Sequence, residues 1–299
     1  MKQPPKLAPT ELTPFFPHFR GLHEIGHGGF KTVFKGTVQG NAEVLKVIGI
    51  PAPDDPNDDD QVRFQEECVA RVQREVEILS RCQSTFMVKL ASVVLAEHQI
   101  NGFTYSIYSE EFLDGPDLWA LLKAKGPKPD EAEAKRLMRC LLEAIKEIWS
   151  MRFIHRDIKP ANVIKLNDPD RPFVLIDLGI AFGLLETGLT LQGVVPCTNR
   201  YLAPEMANPN FRSSLDYRTD LYTTALTVYE YSAGKHPIAE DSDDDMRTIS
   251  RALHQAAKPL QDARPDFSPD FCTLIDQLLK KKPSLRPANL DWLIAQTEI

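Results

Sequence analysis

Lys46 stands in the run Val44-Leu45-Lys46-Val47, a lysine inside an otherwise apolar strand. An ammonium in such surroundings must be paired or must border a polar cavity. Glu75 poses the mirror problem, because it falls inside the apolar stripe that Val72, Val76 and Leu79 make at helical spacing, and a carboxylate on a buried face needs a cation. Each is unexplained singly; together they satisfy each other. Upstream, the run Gly26-His27-Gly28-Gly29-Phe30-Lys31-Thr32-Val33 lies between strand-like segments. Its glycines let a backbone turn tightly and bring its amide hydrogens close to an anionic ligand, although taken alone the run fits a ligand-free hairpin better. Further on, His155-Arg156-Asp157-Ile158-Lys159-Pro160-Ala161-Asn162 follows a long helical pattern, and Asp177-Leu178-Gly179 lies just after the apolar run Phe173 to Ile176.

The elements that must position these groups change character along the chain. Residues 31–35 and 42–50 read as β-rich runs, residues 61–82 as one long helix, and residues 87–95 and 102–108 as further strands. Phe112-Leu113-Asp114-Gly115-Pro116 has turn chemistry, and the sequence after it is mostly helical. Pro129-Asp130 with Glu133 marks a helix start, and Leu137, Met138, Leu141, Ile145, Ile148 and Trp149 form the apolar stripe that follows. Later helices are expected at 221–232, 271–280 and 289–296. The expected organisation is an extension over residues 1–20 and one domain over 21–299, with a small β-rich part at about 21–112 and a larger helical part at about 116–299. Phe15, Phe16 and Phe19 would dock an otherwise loose proline-rich leader. The stretch 51–60, rich in Asp and Pro, fits a solvated loop better than a metal site, since nothing rigid holds its carboxylates.

The chain has 299 residues and a net charge of -7, which at roughly 150 residues per domain allows about two core-sized units. Its apolar runs are too short to span a bilayer and its first residues carry no secretory h-region, so an intracellular, cytoplasmic protein is expected. Cys68, Cys82, Cys140, Cys197 and Cys272 are widely spaced with no Cys-x-x-Cys pair, which argues for reduced thiols over disulfides or structural zinc. A mildly acidic balance disfavours binding to nucleic acid.

Taken together, the motifs resemble those of eukaryotic-type protein kinases of the serine/threonine class. The resemblance rests on His155-Arg156-Asp157 with Asn162, on Asp177-Leu178-Gly179, and on Ala203-Pro204-Glu205. Thr198-Asn199-Arg200-Tyr201, Asp220 and Arg286 continue it, so that it covers about 21–293. It implies an α+β, two-lobed protein-kinase-like fold and transfer of the ATP γ-phosphate to Ser or Thr hydroxyls of a protein substrate. By that resemblance the segment 26–33, including Gly26, His27, Gly28, Gly29 and Val33, covers the nucleotide phosphates. Lys46 contacts the α- and β-phosphates and Glu75 holds it, while Asn162 and Asp177 hold Mg²⁺. Asp157 acts on the attacking hydroxyl and Lys159 neutralises the γ-phosphate. Asp117 resembles the acid that binds the ribose or a basic substrate side chain, and equally fits a helix-start Asp. His155 and Asp220 would support the catalytic loop, and Glu205 would pair with Arg286.

Departures from the family pattern are Lys31 for a third glycine, Leu178 for the usual Phe, and a polar Glu110 near the back of the adenine pocket. Arg156 could pair a phosphate on Thr187 or Thr190, against the plainer reading of ordinary loop threonines. Two rival readings are a pseudokinase scaffold, which the presence of Lys46, Asp157 and Asp177 opposes, and a small-molecule kinase of related fold, which the segment from Thr198 to Glu205 opposes. Oligomeric state, substrate and pathway are not legible.

Overall fold

The computed structural model describes residues 1–178, 200–207 and 215–298. It divides into two compact units, Met1–Arg81 with Val88–Asp114 and Cys82–Met87 with Gly115–Ile299.

The first unit is built on an antiparallel sheet in the order β1-β2-β3-β5-β4. Its strands are β1 (Arg20–Gly28), β2 (Lys31–Val38), β3 (Asn41–Ile50), β4 (Ala96–Ile100) and β5 (Phe103–Glu111). Two-residue turns close the β2–β3 and β4–β5 hairpins, Gln39-Gly40 and Asn101-Gly102, with φ of 50° and 90° in the first and 52° and 80° in the second. Positive φ at both central residues matches the right-handed twist of the strands, which is why Asn-Gly suits such a turn. The sheet's core includes Phe34, Leu45, Val47 and Ile107, and the leader contributes Leu7, Leu12, Phe16 and Phe19 to it. The leader is therefore built in more fully than its composition suggests. Its short helix α1 (Pro9–Leu12) supplies Leu12 to the core, Lys2 bridges to Ala52, and the Tyr105 hydroxyl donates to the Pro5 carbonyl at 2.6 Å. Of the expected aromatic anchors, Phe15 stays exposed.

Helix α2 (Asp59–Arg81) begins where the acidic loop ends. Asp58 Oδ1 accepts the amides of Asp60 and Gln61 at 3.1 Å each, and Asp59 and Asp60 lie in the first turn, where negative charge complements the helix dipole. Residues 87–95 depart from the strand expected there. Among them only isolated bridges form, Met87 to Leu175 and Leu90 to Glu110. The buried Glu43 explains part of the irregularity: its Oε2 accepts from the Ser92 amide at 3.0 Å, the Ser92 hydroxyl at 2.6 Å and the Ser109 hydroxyl at 2.9 Å. A carboxylate thus satisfies the Ser92 amide, which a regular ladder would have paired with a backbone carbonyl, while the stretch keeps backbone bonds to β5 through Lys89, Ala91 and Val93.

The second unit is mainly helical. After α3 (Leu118–Ala124) comes α4 (Glu131–Ser150), which starts where Asp130 accepts the Glu133 amide at 2.7 Å and which buries Leu137, Met138, Leu141, Ile145 and Ile148. It packs against α5 (Arg218–Ala233). That helix is buried around its whole circumference from Thr219 to Ala233, so it is the core helix of the unit. A two-stranded ladder, β6 (Val163–Lys165) with β7 (Phe173–Leu175), follows the run from His155 to Asn162. Helices α6 (Asp245–His254), α7 (Leu260–Ala263), α8 (Pro269–Leu278) and α9 (Leu290–Ala295) complete the unit. Among the described residues no helix is long and apolar enough to cross a membrane.

Candidate active site

Register places the first group of candidate residues. Gly26 is opposite Val33, Val33 opposite Lys46, and Lys46 opposite Tyr108. Facing residues in adjacent strands share a face of the sheet, so the glycine run and Lys46 form one row. The run itself closes as a hairpin, with Gly28 opposite Lys31 and Gly29 in the left-handed region at φ 52°. A Cβ added at Gly26 or Gly28 would meet nothing within 4 Å. The protein's own packing therefore does not demand glycine at those two positions, and the space beside them is open to a close ligand. His27 turns to Glu24, Nδ1 lying 3.0 Å from Oε1, and Lys6 donates to the same oxygen at 2.6 Å.

Lys46 meets Glu75, Nζ to Oε1 at 3.4 Å. Its shorter contact is with a different carboxylate, Glu110 Oε1 at 2.7 Å. The Lys46 and Glu110 side chains are each 4% exposed, whereas Glu75 is 15% exposed. Glu110 is visible in the sequence as an odd polar residue, and its pairing with Lys46 is not. The pairing follows from register, which the sequence does not carry: Val44 faces Glu110, and Lys46, two residues on, shares the face of Val44.

In the second unit the catalytic-loop motif is fixed from beneath. Asp220, in the first turn of the buried α5, accepts the backbone amides of His155 at 2.7 Å and Arg156 at 2.8 Å. Burial outweighs those bonds and pushes its carboxyl up to about 6. Arg156 adopts φ 68° and Asp177 φ 55°, conformations sparsely used by residues with a side chain and held only where surroundings impose them. His155 is buried, and desolvation lowers its imidazole to about 4. Its neutral Nδ1 accepts the Asp157 amide at 3.3 Å.

Asp157 is gripped on both oxygens. Lys159 Nζ donates to Oδ1 and Oδ2 at 2.9 Å each. The Asn162 side-chain nitrogen donates to the Asp157 carbonyl at 2.8 Å and to Oδ2 at 2.9 Å, which leaves its Oδ1 as an available acceptor. The Ile176 amide donates to the Asn162 carbonyl at 2.9 Å, so Asp177 follows directly on a residue tied to the loop. The Asn162 side-chain Oδ1 and the Asp177 carboxylate oxygens are hard donors of the kind Mg²⁺ takes.

Asp117 stands at the start of α3. Its Oδ1 accepts the Ala120 amide at 2.7 Å as the N-cap of α3, the helix-start alternative for that residue. Glu205 and Arg286 form a two-pronged pair, Nη1 to Oε1 at 2.6 Å and Nη2 to Oε2 at 2.8 Å. Gly179, Thr187, Thr190 and Thr198, singled out for metal-motif and regulatory roles, lie outside the described residues.

A family model of the protein kinase domain matches residues 19–296. The chain is 31% identical over 285 residues to serine/threonine-protein kinase pkn3 of Myxococcus xanthus, covering 92% of this chain and 48% of that protein. It is 29% identical over 276 residues to PknD of Mycobacterium tuberculosis, covering 92% of this chain and 38% of that one. It thus spans about half or less of the length of these relatives. Among solved structures it is similar to Rad53 in complex with AMP-PNP, with a TM-score of 0.66 at 22% identity, covering 94% of this chain and 65% of the other. The kinase domain of Mycobacterium tuberculosis PknI gives a TM-score of 0.62 at 20% identity, with 93% and 95% covered.

Proposed function

Because the chain belongs to the protein kinase domain family, we propose that it transfers the γ-phosphate of ATP to serine or threonine hydroxyls of protein substrates, with Mg²⁺ as the metal. The observation that carries the reading is the Asp157 carboxylate, held by Lys159 on both oxygens and by Asn162 on one. A carboxylate so oriented can accept a hydrogen bond from an incoming hydroxyl, align its lone pair for attack on phosphorus and take its proton as the bond forms. Lys159, already against Asp157, is the cation beside the group that would be transferred. Lys46 supplies the charge for the non-transferred phosphates, and the open space beside Gly26 and Gly28 suits their approach to backbone amides.

Mg²⁺, when bound, would supply positive charge against the negative phosphates, and Asn162 and Asp177 are the residues that would hold it. The chain's own residues do the positioning: Asp220 fixes the loop backbone, and His155, neutral, accepts the amide that orients Asp157. Lys159 two residues after the acid resembles the serine/threonine class, which matches the relatives' names. Nothing at Lys46, Asp157 or Asp177 favours a catalytically silent scaffold. The test is transfer of radiolabelled phosphate from ATP by purified protein to itself and to a generic basic protein, followed by phosphoamino-acid analysis. Phosphoserine or phosphothreonine that disappears with Asp157→Asn is expected. Phosphotyrosine alone, or no transfer with Mg²⁺ present, refutes the assignment.

A further inference from the structure

Lys46 has more negative charge around it than its proposed task needs. The ammonium lies 2.7 Å from Glu110 and 3.4 Å from Glu75. The two acids come from different elements, β5 and α2, and differ in their access to water, Glu110 being 4% and Glu75 15% exposed. Pulling a cation away from a buried carboxylate leaves an uncompensated charge in a poor solvent, while a carboxylate in reach of water is partly re-solvated. The contact that resists release of Lys46 is therefore the one with Glu110.

We propose that Glu110 is a positioning residue that competes with nucleotide phosphates for Lys46 and so sets the affinity of this chain for ATP. The inference rests on the kinase reading above and adds to it a specific antagonist. The register supports the geometry. Glu110 faces Val44 across the β3–β5 ladder, and Val44 and Lys46 are successive residues on one face of β3. The acid thus reaches Lys46 diagonally along the sheet, while the Tyr108 ring lies opposite, its centroid 5.6 Å from Nζ. Glu110 acts in two ways of the same sign. It holds Lys46 in a state that a phosphate must displace, which lowers apparent affinity by the fraction of molecules with Lys46 released. It also repels the triphosphate directly, through a medium where charges are weakly screened. Glu75 has the opposite role, since it directs Lys46 and its loss falls on turnover.

Glu110→Gln keeps the side chain's length and shape and removes its charge. Titration of the purified protein with ATP in the presence of Mg²⁺, with ADP, and with adenosine separates the possibilities. The expected result is a fall of about threefold or more in the Kd for ATP and ADP, no comparable change for adenosine, and a kinetic change concentrated in KM for ATP. Glu110→Met, apolar and of similar length, should move the ATP affinity the same way and serves if the amide disturbs folding. In a Lys46→Met background the gain from Glu110→Gln should shrink to the part that direct repulsion contributes. Unchanged or weaker ATP binding in a folded Glu110 variant overturns the proposal, and so does an equal gain for adenosine, which would place Glu110 against the base. Those outcomes in a protein that still transfers phosphate refute only the role of Glu110. A parent protein that neither binds ATP nor transfers phosphate refutes the kinase reading itself.

Discussion

Arg286 carries a prediction whose size can be worked from its contacts. Its side chain is fully buried, and Glu205 is 11% exposed. Besides the two bonds to Glu205, the guanidinium donates to the carbonyls of Lys280 at 2.8 Å, Arg218 at 2.8 Å and Lys281 at 3.1 Å, and lies 4.7 Å over the Tyr222 ring. Replacing it with Met fills similar volume but strands the Glu205 carboxylate, whose remaining donor is the Thr219 hydroxyl at 2.9 Å. Removing one partner of a buried pair costs about 3–5 kcal/mol. Glu205→Gln retains one acceptor and the shape, and loses the charge-assisted bond, a cost of roughly 2 kcal/mol. In the double variant no buried charge is left alone, so its cost should fall short of the sum of the singles by about 2 kcal/mol. Urea unfolding of the parent, both singles and the double, followed at constant slope, measures the cycle. Additivity within about 0.5 kcal/mol, or an Arg286→Met cost under about 1 kcal/mol, would refute the argument that the pair is coupled and buried.

Lys46→Met should abolish phosphate transfer and also cost about 3–5 kcal/mol of stability, because it strands the buried Glu110 carboxylate; transfer at the parent rate would end the active-kinase reading. Asp157→Asn should remove turnover while nucleotide titration shows ATP binding largely retained. Asp177→Ala should instead lose the Mg²⁺-dependent part of ATP binding, and an unchanged Kd with Mg²⁺ would reassign that residue. Buried His236, pushed down to about 3 by desolvation, has its Nδ1 occupied by the amides of Ile238 and Ala239. The unfolded chain takes up a proton near pH 6.5 that the folded chain refuses, so stability present above that pH should be lost as pH falls. The loss is on the order of 2 kcal/mol between pH 7 and 5, and His236→Asn should flatten that slope in urea midpoints measured across the range.

What could be read in advance followed local chemistry. Helix α2 was expected at 61–82 because its stripe repeats at helical spacing, and it forms at Asp59–Arg81; the two added acids lie in its first turn, where a helix end favours them. Lys46 and Glu75 were matched because each alone was an energetic anomaly. Tertiary burial decided the rest. The leader's Leu7 and Leu12 look unremarkable among prolines, and only the finished sheet core shows why they are buried. Residues 87–95 carry a strand's composition, yet Glu43, a distant acid on β3, takes the Ser92 amide that a continuous ladder would have used.

The same distinction explains why Glu110 stands out in the sequence while its partner does not. A polar residue in an apolar strand is visible from sequence, but its partner depends on which strand lies beside it and in what register. Alternation puts Glu110 and Tyr108 on one face of β5, and Val44 and Lys46 on one face of β3, with no statement about whether those faces meet. Once β3 lies antiparallel beside β5 with Val44 opposite Glu110, Lys46 and Glu110 share one surface within reach of a long side chain. An ammonium that had one carboxylate to satisfy it in the sequence then has a second and nearer one in the fold. The anomaly at Lys46 was a sound signal of ion pairing, and counting its possible partners required the sheet.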